Sequence, residues 1–179
     1  MNEQNNLEPD KILKEVLELP YGASVADLGC GSMAFFTIAA AKLVGDKGVV
    51  YACDVIKEIL SAVEGKAKQA GLLNIKTVWT NLEIVGAAKI GQPLDYVFLT
   101  TTLFQSKKHK EMLTEAHRLL KEGGRLLLVE WAASSGPLGP APSMRVNKEE
   151  IENLAAAVGF KKIKEFPASS SHYGLIFEK

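Results

Sequence analysis

Short apolar runs alternate with longer amphipathic stretches along nearly the whole chain, and the last two apolar runs are separated by too few residues to hold a helix. The alternation calls for a parallel sheet with helices packed on both faces. The short final connection forces the last two strands to pair antiparallel, because a parallel pair needs a crossover. Apolar runs at 24–28, 49–53, 75–79, 94–100, 125–131, 160–166 and 173–177 predict seven strands. Helical spacing predicts helices over 9–18, 32–44, 56–70 and 107–121, the last stopped by Gly123-Gly124. A further helix opens at Asn147, where Glu150 completes a capping-box variant, and ends before Gly159. Residues 132–146, rich in Gly, Pro and Ser, read as a loop.

At 179 residues the chain suits one domain. Its expected division is an N-terminal helical segment over 1–20 and a core over 21–179. Hydrophobic residues at 47% with 23% charged residues exclude a disordered or low-complexity chain. Twenty-one basic residues balance 21 acidic ones, so no global basic field draws the chain to nucleic acid or acidic lipid. Two cysteines without a C-x-x-C and three scattered histidines give no zinc-ligand spacing. No apolar run approaches a membrane span, and the polar start lacks the order of a signal peptide, so the cytoplasm is the default address.

The chemistry concentrates in Val25-Ala-Asp-Leu-Gly-Cys-Gly-Ser, at the carboxyl end of the first strand, where open α/β sheets bind ligands. Gly29 and Gly31 allow a sharp turn and a close backbone approach, and Cys30 between them serves through its backbone. The following helix aims unpaired N–H groups at the turn, suiting a carboxylate or phosphate. Asp27 lies within the apolar strand, where a buried carboxylate demands a cation or strong donors. Asp54 closes the second strand, placed either to accept from the two hydroxyls of a ribose or to cap the next helix.

These residues resemble the class I S-adenosylmethionine-dependent methyltransferases, and the likeness covers nearly the whole chain. Asp27-Leu-Gly-Cys-Gly-Ser is similar to the first motif of that family, and Val49-Val-Tyr-Ala-Cys-Asp54 to the second. The stretch from Leu94 through Gly123-Gly124-Arg125 to Glu130 resembles its small-molecule members of the ubiquinone and menaquinone type. The resemblance implies a Rossmann-like three-layer sandwich of α/β class, its seven-stranded sheet mostly parallel with an antiparallel last strand. It implies S-adenosylmethionine as cofactor, with the Asp27 carboxylate serving the methionine ammonium group directly or through water, Gly29 and Gly31 beneath the methionine part, and Asp54 on the ribose. It extends the cofactor-contacting set to Cys30, Val55, Asn81, Leu82 and Thr100, and it names no catalytic residue. Two departures stand out: Thr80-Asn81-Leu82 replaces an acid often set against the adenine, and Met33 replaces a third glycine.

Two alternatives remain at this level. Gly29-Cys-Gly31-Ser-Met-Ala34 formally satisfies a nicotinamide-binding G-x-G-x-x-A, although Asp27 would place negative charge beside a pyrophosphate. A non-catalytic chain that binds the methionine cofactor and serves a partner would look the same here. Methyl transfer proceeds from an activated sulfonium, so positioning can supply much of the rate without a base. A small-molecule acceptor is expected, with protein or RNA as alternatives and the oligomeric state open. His109 reads as a solvated residue of the run Lys107-Lys-His-Lys110, with a general base as its functional alternative. Tyr21, Phe35, Phe104 and Trp131 are expected near the site, mostly as core. The N-terminal segment and the loop 132–146 are the expected lids.

Overall fold

The computed structural model describes residues 7–133 and 139–179. Seven strands form one sheet: β1 (Ser24–Leu28), β2 (Val49–Asp54), β3 (Ile75–Trp79), β4 (Leu94–Thr100), β5 (Leu120–Trp131), β6 (Lys161–Pro167) and β7 (His172–Glu178). Their order is β3-β2-β1-β4-β5-β7-β6. β1 through β5 pair in parallel, and β7 runs antiparallel to both β5 and β6. The sheet class and the antiparallel ending read from the sequence are both present.

Side-chain alternation assigns the faces. Val25 of β1, Phe98 of β4 and Leu127 of β5 meet α1 (Pro9–Lys11, continued by a π-helical turn over Ile12–Val16) and α2 (Phe35–Val44) through Ile12, Leu13, Phe36 and Ala40. Ala26, Leu99 and Leu128 point the other way, onto α4 (His109–Leu119) and α5 (Lys148–Val158) through Leu113, Ala116, Ile151 and Ala155. α3 (Lys57–Gln69) packs Val63 against Ala52 of β2 and Ala34. Helices on both faces of one sheet give three layers.

No helix joins β3 to β4. Residues 80–93 instead lie over the sheet face, burying Leu82 and Ala88 among β-strand side chains. Glu115 of α4 holds this connection by accepting from Gly86 N at 2.7 Å and Ala88 N at 2.9 Å, while Arg118 donates to its Oε2 at 2.8 Å. The amides of an irregular segment thereby find the partner that a helix would have supplied internally.

Several boundaries differ from expectation. α2 begins at Phe35 rather than residue 32, because Gly31 to Ala34 make a separate turn in which Ala34 N donates to Gly31 O at 3.2 Å. α4 starts at His109 and stops at Leu119, two residues before the expected end, because Leu120 already pairs with Leu94 of β4. Pro9 and the π turn occupy the expected helix 9–18. Within 132–146, residues 142–144 form a 3-10 turn, and 134–138 lie outside the described residues. The cap of α5 is as read: Asn147 Oδ1 accepts from Glu150 N at 3.1 Å.

Candidate cofactor and acceptor site

Strand order runs outward in opposite directions from β1 and β4, so their carboxyl ends leave a crevice there. The turn after β1 crosses the end of β2: Gly29 N and Cys30 N both donate to Cys53 O, at 2.8 and 3.1 Å. Gly29 (φ +80°) and Gly31 (φ +63°) occupy the left-handed region. The two glycines serve different needs. A Cβ on Gly29 would run into the Thr102 side chain, whereas one on Gly31 would project into open space above the turn. Backbone is therefore exposed at Gly31 for close approach by a ligand.

Asp27 lies under this turn, 1% exposed. Its Oδ2 accepts from Thr37 Oγ1 of α2 at 2.6 Å, and its Oδ1, equally buried, has no hydrogen-bond partner among the described residues. Burial pushes the carboxyl up to about 6, offset in part by the Thr37 hydrogen bonds and reinforced by the charge of Asp54. No lysine or arginine of the described residues pairs with it. The compensating cation demanded by an acid in an apolar strand is thus not supplied by the described residues.

Asp54, 8% exposed, faces the same turn from β2. Its Oδ2 accepts from Gly31 N at 3.3 Å and its Oδ1 from Ile56 N at 3.0 Å. One carboxylate thus fixes both the glycine turn and the entry to α3. The two acids and the amino end of α2 enclose a region where a zwitterion with separated ammonium and carboxylate finds both complements. Cys30 adds backbone only: burial, then the charges of Asp27 and Asp54, push its thiol well above its ordinary range.

A cavity of about 520 Å³ opens above the turn. Gly29 to Phe36 form one wall, Thr100, Thr101 and Gln105 a second, and Leu7 and Pro9 a third. α2 begins beside it without a side-chain cap, since Ala34 (φ +53°) provides none. Met33 and Phe35 at the rim are 53% and 56% exposed. A mouth lined by thioether and phenyl beside an otherwise polar turn suits an apolar acceptor ring.

The expected residues divide into two groups. Gly29, Cys30, Gly31 and Thr100 line the cavity, with Asp27 beneath it and Asp54 bonded to its turn. Val55, Asn81 and Leu82 lie to one side, at the ends of β2 and β3, and do not line it. There Thr80 N donates to Asp54 O at 3.0 Å and Trp79 Nε1 to Val55 O at 2.8 Å. Asn81 Oδ1 already accepts from Glu83 N at 2.9 Å, so the oxygen expected to stand in for the missing acid is engaged in its own turn.

The remaining candidates also divide. His109 is neither solvated nor in the cavity: its Nε2 lies 3.1 Å from Leu103 O and its Nδ1 3.9 Å from Glu150. Of the four aromatics only Phe35 lines the cavity. Tyr21 sits at the amino end of the sheet, bonded to Asp46; Phe104 packs on the core; Trp131 stacks on His172 with centroids 4.1 Å apart. The N-terminal segment does reach the cavity, through Leu7 and Pro9.

Sequence reasoning missed Thr37, Thr101, Thr102, Gln105 and Glu130. Thr37 carried a signal, a hydroxyl among apolar residues of one helix. Glu130 carried the signal that exposed Asp27, an acid at the end of an apolar run. Burial pushes its carboxyl up to about 7, against hydrogen bonds from the backbone of Leu103, Trp131, Phe104 and Thr102.

Comparison with known proteins follows the same lines. The model of the ubiE/COQ5 methyltransferase family matches residues 4–141. The demethylmenaquinone methyltransferase of Geobacillus sp. (strain WCH70) is 34% identical over 112 residues, 61% of this chain and 45% of that protein. That of Bacillus pumilus (strain SAFR-032) is 33% identical over 121 residues, 68% of this chain and 50% of that protein. The chain thus spans about half the length of these curated relatives. A solved SAM dependent methyltransferase from Aquifex aeolicus superposes with a TM-score of 0.84 at 25% identity, covering 96% of this chain and 89% of that one.

Proposed function

Because the chain belongs to the ubiE/COQ5 methyltransferase family, we propose that it binds S-adenosylmethionine at the β1–α2 turn and transfers its methyl group to a small apolar acceptor held in the cavity above. One observation carries the reading: the orphaned, buried Oδ1 of Asp27 beneath an open glycine turn. An ammonium group satisfies that oxygen, and a nicotinamide dinucleotide, whose pyrophosphate would bring more negative charge, does not. The amino end of α2 suits the methionine carboxylate.

The bound cofactor supplies a methyl group on a sulfonium already activated for displacement. The protein's task is to hold the acceptor nucleophile in line with that carbon and to exclude water, contributions that reach roughly 7–11 kcal/mol in favourable systems. Phe35, Met33 and Leu7 offer an apolar ring its contact surface, and Thr100, Thr101 and Gln105 offer it hydrogen-bonding groups. The relatives named above act on demethylmenaquinone, which makes a reduced naphthoquinone the first acceptor to test.

Two measurements test the reading. S-Adenosylhomocysteine at about 100 times its dissociation constant should stabilise the chain by roughly 2.7 kcal/mol, and NADH should not. Labelled S-adenosylmethionine should then yield a labelled product with a reduced, demethylated naphthoquinone. Stabilisation by NADH alone overturns the cofactor assignment. Tight S-adenosylhomocysteine binding without transfer to any member of a broad acceptor panel overturns the catalytic reading in favour of a binding subunit.

A further inference from the structure

Glu130 ends the apolar run of β5, is fully buried, and does not line the cavity. Its Oε1 accepts from Leu103 N at 2.7 Å and its Oε2 from Trp131 N at 3.2 Å. Leu103 belongs to the strap 101–105, which leaves β4 and crosses the end of β1. β5 fastens the strap a second time, where Val129 O accepts from Thr101 N at 2.7 Å. At the second of these points Thr101 takes a left-handed conformation (φ +50°), unusual for a β-branched residue and sustained only where surroundings impose it.

The strap leads directly to the glycine turn. Thr102 Oγ1 lies 3.2 Å from Leu28 O, 3.0 Å from Thr100 O and 3.5 Å from Gly29 O, and the Thr102 side chain fills the space that a Cβ on Gly29 would need. Thr101 and Gln105 of the same strap line the cavity, and Gln105 Nε2 donates to Thr101 O at 3.2 Å. A carboxylate on β5 is therefore connected, through one strained segment, to the backbone beneath the proposed cofactor.

We propose that Glu130 is a positioning residue for the cofactor site: its carboxylate clamps the strap 101–105 so that Thr102 seats the glycine turn at Gly29. The inference rests on the cofactor reading given above. It assigns Glu130 no contact with cofactor or acceptor; the effect passes through Thr102. A carboxylate suits the task because it accepts several amides at once, which an amide side chain in its place cannot do with both ends.

Calorimetric titration with S-adenosylhomocysteine tests this on four proteins: the parent chain, Glu130→Gln, Thr102→Val, and their double variant. The single variants should each weaken binding about tenfold, and the double variant no more than the worse single, as residues acting through one another do. Leu126→Ala, on β5 away from the strap, controls for lost stability and should bind within twofold of the parent. The Leu103 amide proton resonance should move upfield in Glu130→Gln as the charge-assisted hydrogen bond is lost. Should Glu130→Gln not fold, Glu130→Asp, whose shorter side chain withdraws the carboxylate from Leu103 N, takes its place in the comparison. Parent-like affinity in Glu130→Gln or Thr102→Val, or an equal loss in Leu126→Ala, overturns the inference and leaves the cofactor reading standing. Absence of binding by the parent chain overturns both.

Discussion

Asp27 is held in a state that costs the empty protein stability. Its carboxyl titrates near 6 because burial disfavours the charge, against 3.8 for an unperturbed aspartate. That rise corresponds to roughly 3 kcal/mol of folding free energy lost at neutral pH. The sign follows from the raised value: the penalty is fully present above pH 6 and fades as the pH falls toward 3.8. Asp27→Asn should therefore raise the thermal midpoint of the empty chain at pH 7.5 by several degrees, and flatten that residue's contribution to stability between pH 4 and 7. Differential scanning calorimetry of both proteins across that range checks this. The same substitution should weaken S-adenosylhomocysteine binding by about a hundredfold, since it leaves a desolvated ammonium without its charge partner. In the parent chain, affinity should fall as pH drops below about 6, because the acid must then give up a proton before the ammonium can bind. Titrations at pH 5, 6 and 7.5 read that slope, and a flat profile would remove Asp27 from the site.

Elements place these residues, and the least regular of them, the connection 80–93, depends on a single side chain. Glu115→Ala would strand the buried amides of Gly86 and Ala88 and release Arg118, at a cost of about 2–3 kcal/mol. The Glu115 carboxyl is held below its ordinary range by hydrogen bonds from Arg118 and those two amides, which outweigh burial. Its contribution is therefore present above pH 4.5 and lost as the pH falls through the lowered value. Urea unfolding should show a lower midpoint in Glu115→Ala at pH 7, the gap to the parent narrowing as the pH falls through the lowered value. The strands were legible because period-two alternation and breakers such as Gly91-Gln92-Pro93 are local. The start of α2 was not: Ala34 in a left-handed conformation carries no cap residue to announce it. The end of α4 was hidden for a different reason, because Leu120 keeps the helical apolar spacing while pairing with Leu94 on a neighbouring strand.

Across the whole molecule, the sheet order creates the crevice and the residues beside it give the crevice its chemistry. Asp27, Gly29 and Gly31 could be read in sequence because one strand and one turn carry them together. Thr102 and Glu130 could not, since Thr102 meets the carbonyl of Leu28 from 74 residues away and Glu130 meets Leu103 from 27. Asp54 was legible as a candidate, and its bond at the entry to α3 matches the capping alternative, but its bond to the turn at Gly31 was not legible. Exposed Met33 and Phe35 sit at the rim beside Leu7, so the apolar part of the cavity draws on both the N-terminal segment and α2. Phe35→Ala should accordingly raise KM for a naphthoquinol acceptor several-fold while leaving S-adenosylhomocysteine affinity within twofold, a split that steady-state kinetics and calorimetry together resolve.

The most direct test is calorimetric titration of S-adenosylhomocysteine into the parent chain and Asp27→Asn at pH 7.5, with the melting temperature of each taken in parallel. The parent should bind, and Asp27→Asn should bind about a hundredfold more weakly while melting higher. Equal affinities in the two proteins, or no binding by the parent, would contradict the assignment of Asp27 to the cofactor's ammonium group.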